Sequence, residues 1–228
     1  MAERSITAEE QQICADAIQR ARAAMKTAEN FDQARVDRLI RALAWAGGNL
    51  PTATRLAAMS VAESGLGSPE PSRRSKVLGI LRDALRQKSM GIIEEIPEKA
   101  IVKYAKPAGV IEALIPVTSP YVTPIGIAIY AIKCKDAVIF APHPASKKTT
   151  AETVRLMRAA LEKLGAPADL LQCIERPSIP LSQALMSGCD LTIATGGPPM
   201  VRAAYGSGKP AYGVGACRSE ERRVGKEC

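Results

Sequence analysis

Apolar residues recur at helical spacing through the first ninety or so positions and then change period. Thr7 and Glu10 form a Thr-x-x-Glu capping box ahead of Cys14, Ile18, Ala21 and Met25, which predicts an amphipathic helix. A second helix is expected to open near Asp32, bury Val36, Leu39, Ile40 and Leu43, and end or kink at Gly47-Gly48. Asn49 and Pro51 suit the start of a third, running through Leu56, Met59 and Glu63 to a stop at Gly65-Leu66-Gly67. After the polar stretch 68–74, a fourth carries Val77, Ile80, Leu81, Ala84 and Leu85.

Beyond residue 91 the pattern becomes that of strands. Ile92–Ile96 and Ile101–Tyr104 flank Pro97-Glu98-Lys99 and predict a β-hairpin. From Gly109 on, short apolar runs alternate with helix-length segments. Strands are expected at Val110–Ile115, Ala137–Ala141, Leu170–Ile174, Leu191–Ala194 and Ala211–Val214. Helices are expected at Val122–Cys134, Lys147–Leu164, Pro180–Ser187 and Pro199–Ser207. Successive βαβ units imply an α/β fold, with a parallel sheet covered by helices on both faces.

Composition narrows the function classes. Hydrophobic residues make up 46% and charged residues 24% of 228, which provides for a sizeable core. The longest apolar run, 122–132, is too short for a membrane span. The polar start MAERSITAEEQQ has no apolar signal region, so a cytoplasmic location is the expectation. The net charge of +8 raises nucleic acid as a partner, but aromatic residues total only 4% and form no stacking platform along a basic stripe, so none is expected. Small phosphorylated ligands suit the charge better. The six cysteines form no CxxC and read as reduced, mostly buried thiols; no metal site is expected.

In open parallel sheets, ligands sit beyond the carboxyl ends of the strands. Three loops fall there. The first is Pro116-Val117-Thr118-Ser119-Pro120, whose prolines fix the backbone while hydroxyls and amides face outward. The second, Pro142–Lys148, holds His143, the only histidine, followed by Pro144, Ala145 and Ser146. Ser146 is expected to cap the next helix, whose free N–H groups favour an anion. The third is Thr195-Gly196-Gly197-Pro198-Pro199-Met200, in which two glycines let backbone approach a ligand ahead of another helix start. Each loop taken singly is also compatible with a plain turn, and none is a GxGxxG or Walker fingerprint. Three after consecutive strand-like runs point to a nucleotide pocket.

The motifs GVIEALIPVTSP (109–120), AVIFAPHPASKKTT (137–150) and DLTIATGGPPMVRAAYGSGKPAYGVGA (190–216) resemble the aldehyde dehydrogenase superfamily, specifically its coenzyme A-acylating branch. RVDRLIRALAWA (35–46) and AESG (62–65) fit as well. The resemblance implies that residues 1–91 form a helical lead-in, 92–106 a hairpin contacting other subunits of a homo-oligomer, and 107–216 a Rossmann-like NAD(P)-binding core. It implies NAD or NADP held by Pro116, Val117 and Thr118, by His143, Pro144, Ala145 and Ser146, and by Thr195, Gly196, Gly197 and Met200. The His-Pro pair stands where hydrolytic relatives have Lys-Pro, which favours the acylating branch. Ser119 stands where the family has an asparagine that donates to the developing oxyanion; serine is shorter but retains a donor.

The acylating reaction also needs a cysteine nucleophile, with coenzyme A taking the acyl group from an aldehyde. In the family that cysteine follows the GVGA-like stretch in a second domain. Here Cys217 and RSEERRVGKEC follow, a stretch without amphipathic period that resembles translated sequencing-adapter DNA. Residues 217–228 are therefore expected to be non-native, and the chain alone is expected to be inactive. Cys134, Cys173 and Cys189 have no neighbouring base in sequence and read as inert. Two other readings stay open: a hydrolytic aldehyde or semialdehyde dehydrogenase, and a non-catalytic assembly module whose first helix serves as a docking segment, as in some microcompartment cargo.

Overall fold

A computed structural model describes residues 4–71 and 73–215. Four helices come first: α1 (Ala8–Ala28), α2 (Gln33–Gly48), α3 (Leu50–Ser64) and α4 (Arg74–Arg86). Their ends are set locally. Thr7 Oγ1 accepts from Glu10 N and Glu10 Oε2 accepts from Thr7 N, completing the capping box of α1. Asp32 caps α2 through Arg35 N at 2.7 Å, and Asn49 caps α3 through Thr52 N at 3.1 Å. Gly65 closes α3 in the left-handed conformation, at φ 68°.

The hairpin follows as β1 (Gly91–Ile96) and β2 (Ile101–Ala105), an antiparallel two-stranded sheet of its own. Ile101, Val102 and Tyr104 are exposed on it.

The main sheet comprises β3 (Val110–Ile115), β4 (Ala137–Pro142), β5 (Leu171–Cys173), β6 (Leu191–Thr195) and β7 (Ala211–Val214). All neighbours are parallel, in the order β5-β4-β3-β6-β7. The connecting helices are α5 (Val122–Lys133), α6 (Lys147–Lys163), α7 (Ile179–Gly188) and α8 (Pro198–Tyr205). The expected hairpin, five strands and four crossover helices are all present, with ends shifted by a residue or two.

β3 and β4 lie at the centre and are buried along their whole length, which is why they read as unbroken apolar runs rather than alternating ones. From β3 the chain steps through α5 and α6 toward β5; from β6 it steps through α8 the other way. With right-handed crossovers this reversal puts α5 and α6 on one face and α7 and α8 on the other. Leu114 accordingly packs with Met186 of α7 and Ala204 of α8. The small-residue stripe of α1 (Ala17, Ala21, Ala24 and Ala28) is buried, and α1 packs against the sheet and α7. The apolar face of that helix is therefore core rather than a docking surface. α5, apolar nearly all round, is enclosed by the sheet, α2 and α4.

The strand order reverses between β3 and β6, which opens a crevice at their carboxyl ends. At the opposite end, two carboxylates pin the start of β3: Asp136 accepts from Gly109 N at 2.9 Å and Asp190 from Val110 N at 2.8 Å. Burial raises the Asp136 carboxyl to about 6, against its bonds from the Gly109 and Ala108 N–H groups.

Candidate functional site

A cavity of about 830 Å³ occupies the crevice. The loop after β3 lines it with Pro116, Val117 and Thr118, the loop after β4 with His143, and the loop after β6 with Thr195, Gly196, Gly197 and Met200. Eight of the residues expected at the site are thus brought together. An apolar cleft of about 130 Å³ adjoins it and shares Ile115, His143 and Met200. Pro144, Pro177, Ile179 and Met186 form its walls. The sequence reading missed the α7 side of this cleft, although the apolar start of that helix is visible in Ile179 and Leu181.

Ala145 and Ser146 line neither space. Ser146 is fully buried with an unpaired hydroxyl, and it does not cap α6 as expected. Glu63 takes that position from the end of α3. Its carboxylate accepts from Lys148 N, Thr149 N and Thr149 Oγ1, each at 2.8 Å. The anion at this helix start is therefore supplied by the protein itself, and the expected ligand-binding N–H groups are already used.

The start of α8 also departs from expectation. Pro198 and Pro199 have no N–H, Gly196 N donates to Val214 O, and Met200 N donates to Gly197 O. Among the described residues, the Gly197 N–H is the one backbone donor of this turn left without an acceptor. The helix contributes its dipole and a single amide rather than a cradle of amides.

Ser119 lies one residue past the lining, in a turn closed by Ser119 N to Pro116 O at 3.3 Å. His143 accepts from Ala145 N through Nδ1 at 3.1 Å, so Nε2 carries the proton in the neutral ring. Arg73 and Lys76 of the α4 region line the cavity as well, and Arg73 donates to Thr118 O at 2.7 Å. Nothing in the local sequence marks them, because they lie some forty residues before the loops.

None of the four described cysteines lines the cavity. Burial raises all four thiols, Cys173 to about 12. That fits inert structural thiols rather than nucleophiles. Among the described residues no three His, Cys, Asp or Glu side chains gather as a metal site, and no helix is long and apolar enough to cross a membrane. A second cavity of about 580 Å³, beside β5 and α6, is rich in charge. Its arginines are internally neutralised: Arg155 pairs with Glu152, and Arg20 and Arg158 pair with Asp169.

The family model described as "Aldehyde dehydrogenase family" matches residues 4–209. The chain belongs to the aldehyde dehydrogenase family. It is 47% identical over 201 residues to a sulfoacetaldehyde dehydrogenase of an Acholeplasma species, covering 87% of this chain and 42% of that protein. It is 41% identical over 204 residues to the acetylating succinate-semialdehyde dehydrogenase of Clostridium kluyveri, covering 89% and 45%. The fold matches an acetylating aldehyde dehydrogenase from Geobacillus thermoglucosidasius with TM-score 0.82 and 38% identity, over 90% of this chain and 46% of that one. The chain thus spans less than half the length of these relatives. The aldehyde dehydrogenase relatives named here are acylating or act on sulfoacetaldehyde, in agreement with the branch that the His143-Pro144 pair implied. The tail expected to be non-native, 217–228, lies outside the described residues.

Proposed function

We propose that this chain is the cofactor half of a coenzyme A-acylating aldehyde dehydrogenase, and that the β3/β6 cavity holds NAD or NADP. The observation that carries the reading is the joining of the cavity to an apolar cleft at His143 and Met200. An adenine ring fits the chemistry of the cleft, flanked by Pro177, Ile179 and Met200. The Gly197 N–H and the α8 dipole would hold the phosphates, and the bare backbone at Gly196-Gly197 would let them come close. Val117 and Thr118, at the mouth of β3, would then hold the nicotinamide end.

When bound, the cofactor supplies a hydride acceptor for the aldehyde. The residues of the chain would bind and orient it: His143 lines the cavity with Nε2 free to donate, and Pro116 and Pro120 restrict the backbone of the β3 loop. Ser119 is the nearby side-chain donor for an oxyanion, in place of the family's asparagine. Coenzyme A and an aldehyde are the co-substrates of the intact enzyme, which we take to be a homo-oligomer joined through the β1–β2 hairpin. Sulfoacetaldehyde and succinate semialdehyde, named for the relatives, are both aldehydes with an anionic tail.

Aldehyde oxidation by the intact enzyme, assayed with and without coenzyme A, tests the reading. Turnover that requires coenzyme A and yields a thioester is expected. Equal turnover without it, releasing a free acid, would place the enzyme in the hydrolytic class.

A further inference from the structure

We infer that Arg73 and Lys76 form an anion subsite at the nicotinamide end of the cavity, which selects aldehydes carrying a carboxylate or sulfonate tail. The inference rests on the cofactor reading above and names the substrate class of the same site.

Three features carry it. The cavity has an unbalanced charge: Arg73 and Lys76 line it, and no aspartate or glutamate does. Among the described residues neither cation has a carboxylate partner, unlike the arginines of the cavity beside β5. A concave site with one sign of charge and low-dielectric walls concentrates the opposite charge. The second feature is placement. Arg73 is held at Thr118 by its 2.7 Å bond to the carbonyl, which uses one of its five N–H groups and leaves the rest of the planar fork for a carboxylate or sulfonate.

The third feature separates substrate from cofactor. The adenine cleft shares Ile115, His143 and Met200 with the cavity, but not Arg73, Lys76 or Thr118. Arg73 is bonded to Thr118, toward which the nicotinamide of a dinucleotide anchored in the cleft would point on the reading above. The oxidised ring is itself cationic, so Arg73 and Lys76 do not favour it. The anion they suit is on the molecule that meets the ring, the aldehyde. A short aldehyde with an acidic tail places its negative charge within a few bonds of its carbonyl, so one small site can hold both ends.

The test uses the 228-residue chain and two probes, succinate and sulfoacetate, with succinamide as the neutral control. NAD binding is measured first by calorimetry, so failure of the cofactor reading registers separately. Each probe is then titrated with and without saturating NAD, following the amide signals of Val117 and Thr118. The two anions are expected to shift these signals saturably in both conditions, and succinamide is not. Arg73→Met with Lys76→Met is expected to weaken anion binding tenfold or more, and by a larger factor than it weakens NAD. Arg73→Lys should restore part of the loss. Lys76 is exposed, so Lys76→Met alone provides a fold-neutral check and should weaken the anions several-fold. The inference is overturned if the anions fail to bind, if the double variant binds them as well as the parent, or if NAD and the anions exclude each other. Mutual exclusion would assign the cations to the cofactor phosphates.

Discussion

Glu112 departs most from what its surroundings favour. It sits mid-strand in β3 with no exposure, and among the described residues the Thr192 hydroxyl of β6 opposite it is the one side chain that counters the cost of its burial. Burial pushes the carboxyl well above the ordinary range. Because the folded value lies above the unfolded one, near 4.3, the folded state binds more protons once the pH passes that value. Stability is then fully present below it and is lost as the pH rises toward the folded value. Asp136 adds a similar loss that ends at about 6. Thermal unfolding of the parent should therefore show a midpoint that keeps falling above pH 6. Glu112→Met should remove that part of the slope and raise stability at neutral pH by roughly 1–3 kcal/mol, the cost of a buried polar group left short of partners. A variant less stable than the parent at pH 7 would mean that the Thr192 hydroxyl outweighs that cost.

At the scale of elements, the helix starts show where sequence was sufficient and where it was not. Thr7, Asp32 and Asn49 cap their own helices three residues on, and such contacts are legible because both partners are close in sequence. Sequence points to Ser146 as the cap of α6, whereas the N–H groups there donate to Glu63, 85 residues earlier. No local rule reaches that far. The same limit hid Arg73, Lys76 and the α7 wall of the cleft, whereas the three loops after β3, β4 and β6 were legible from turn chemistry and strand order. If Glu63 is the cap, Glu63→Ala should cost about 1–2 kcal/mol in urea unfolding, typical of losing a helix cap. Ser146→Ala should cost less, since that hydroxyl has no partner to lose. The reverse order would assign the cap to Ser146.

The whole molecule combines a filled α/β core with two surfaces that the core does not explain. One is the hairpin, which among the described residues pairs only with itself and exposes Ile101, Val102 and Tyr104. A two-stranded hairpin is marginal alone, so an apolar face on it suits a partner. Val102→Lys with Tyr104→Lys should shift sedimentation of the intact enzyme toward smaller species while leaving its far-ultraviolet circular dichroism unchanged. An unchanged assembly would move the subunit contact elsewhere.

The other surface is the crevice between β3 and β6, on which the functional account depends. The most direct measurement is a fluorescence titration of NADH into the 228-residue chain, beside the Gly197→Glu variant. Gly197 has an extended backbone, and an added Cβ would meet nothing closer than Pro199 Cδ at 3.7 Å, so the variant should fold. Its carboxylate would stand where the cofactor phosphates are expected. The account predicts saturable binding by the parent and a loss of tenfold or more in the variant, from like-charge repulsion. Absence of saturable binding by the folded parent, or equal binding by the two chains, would contradict it.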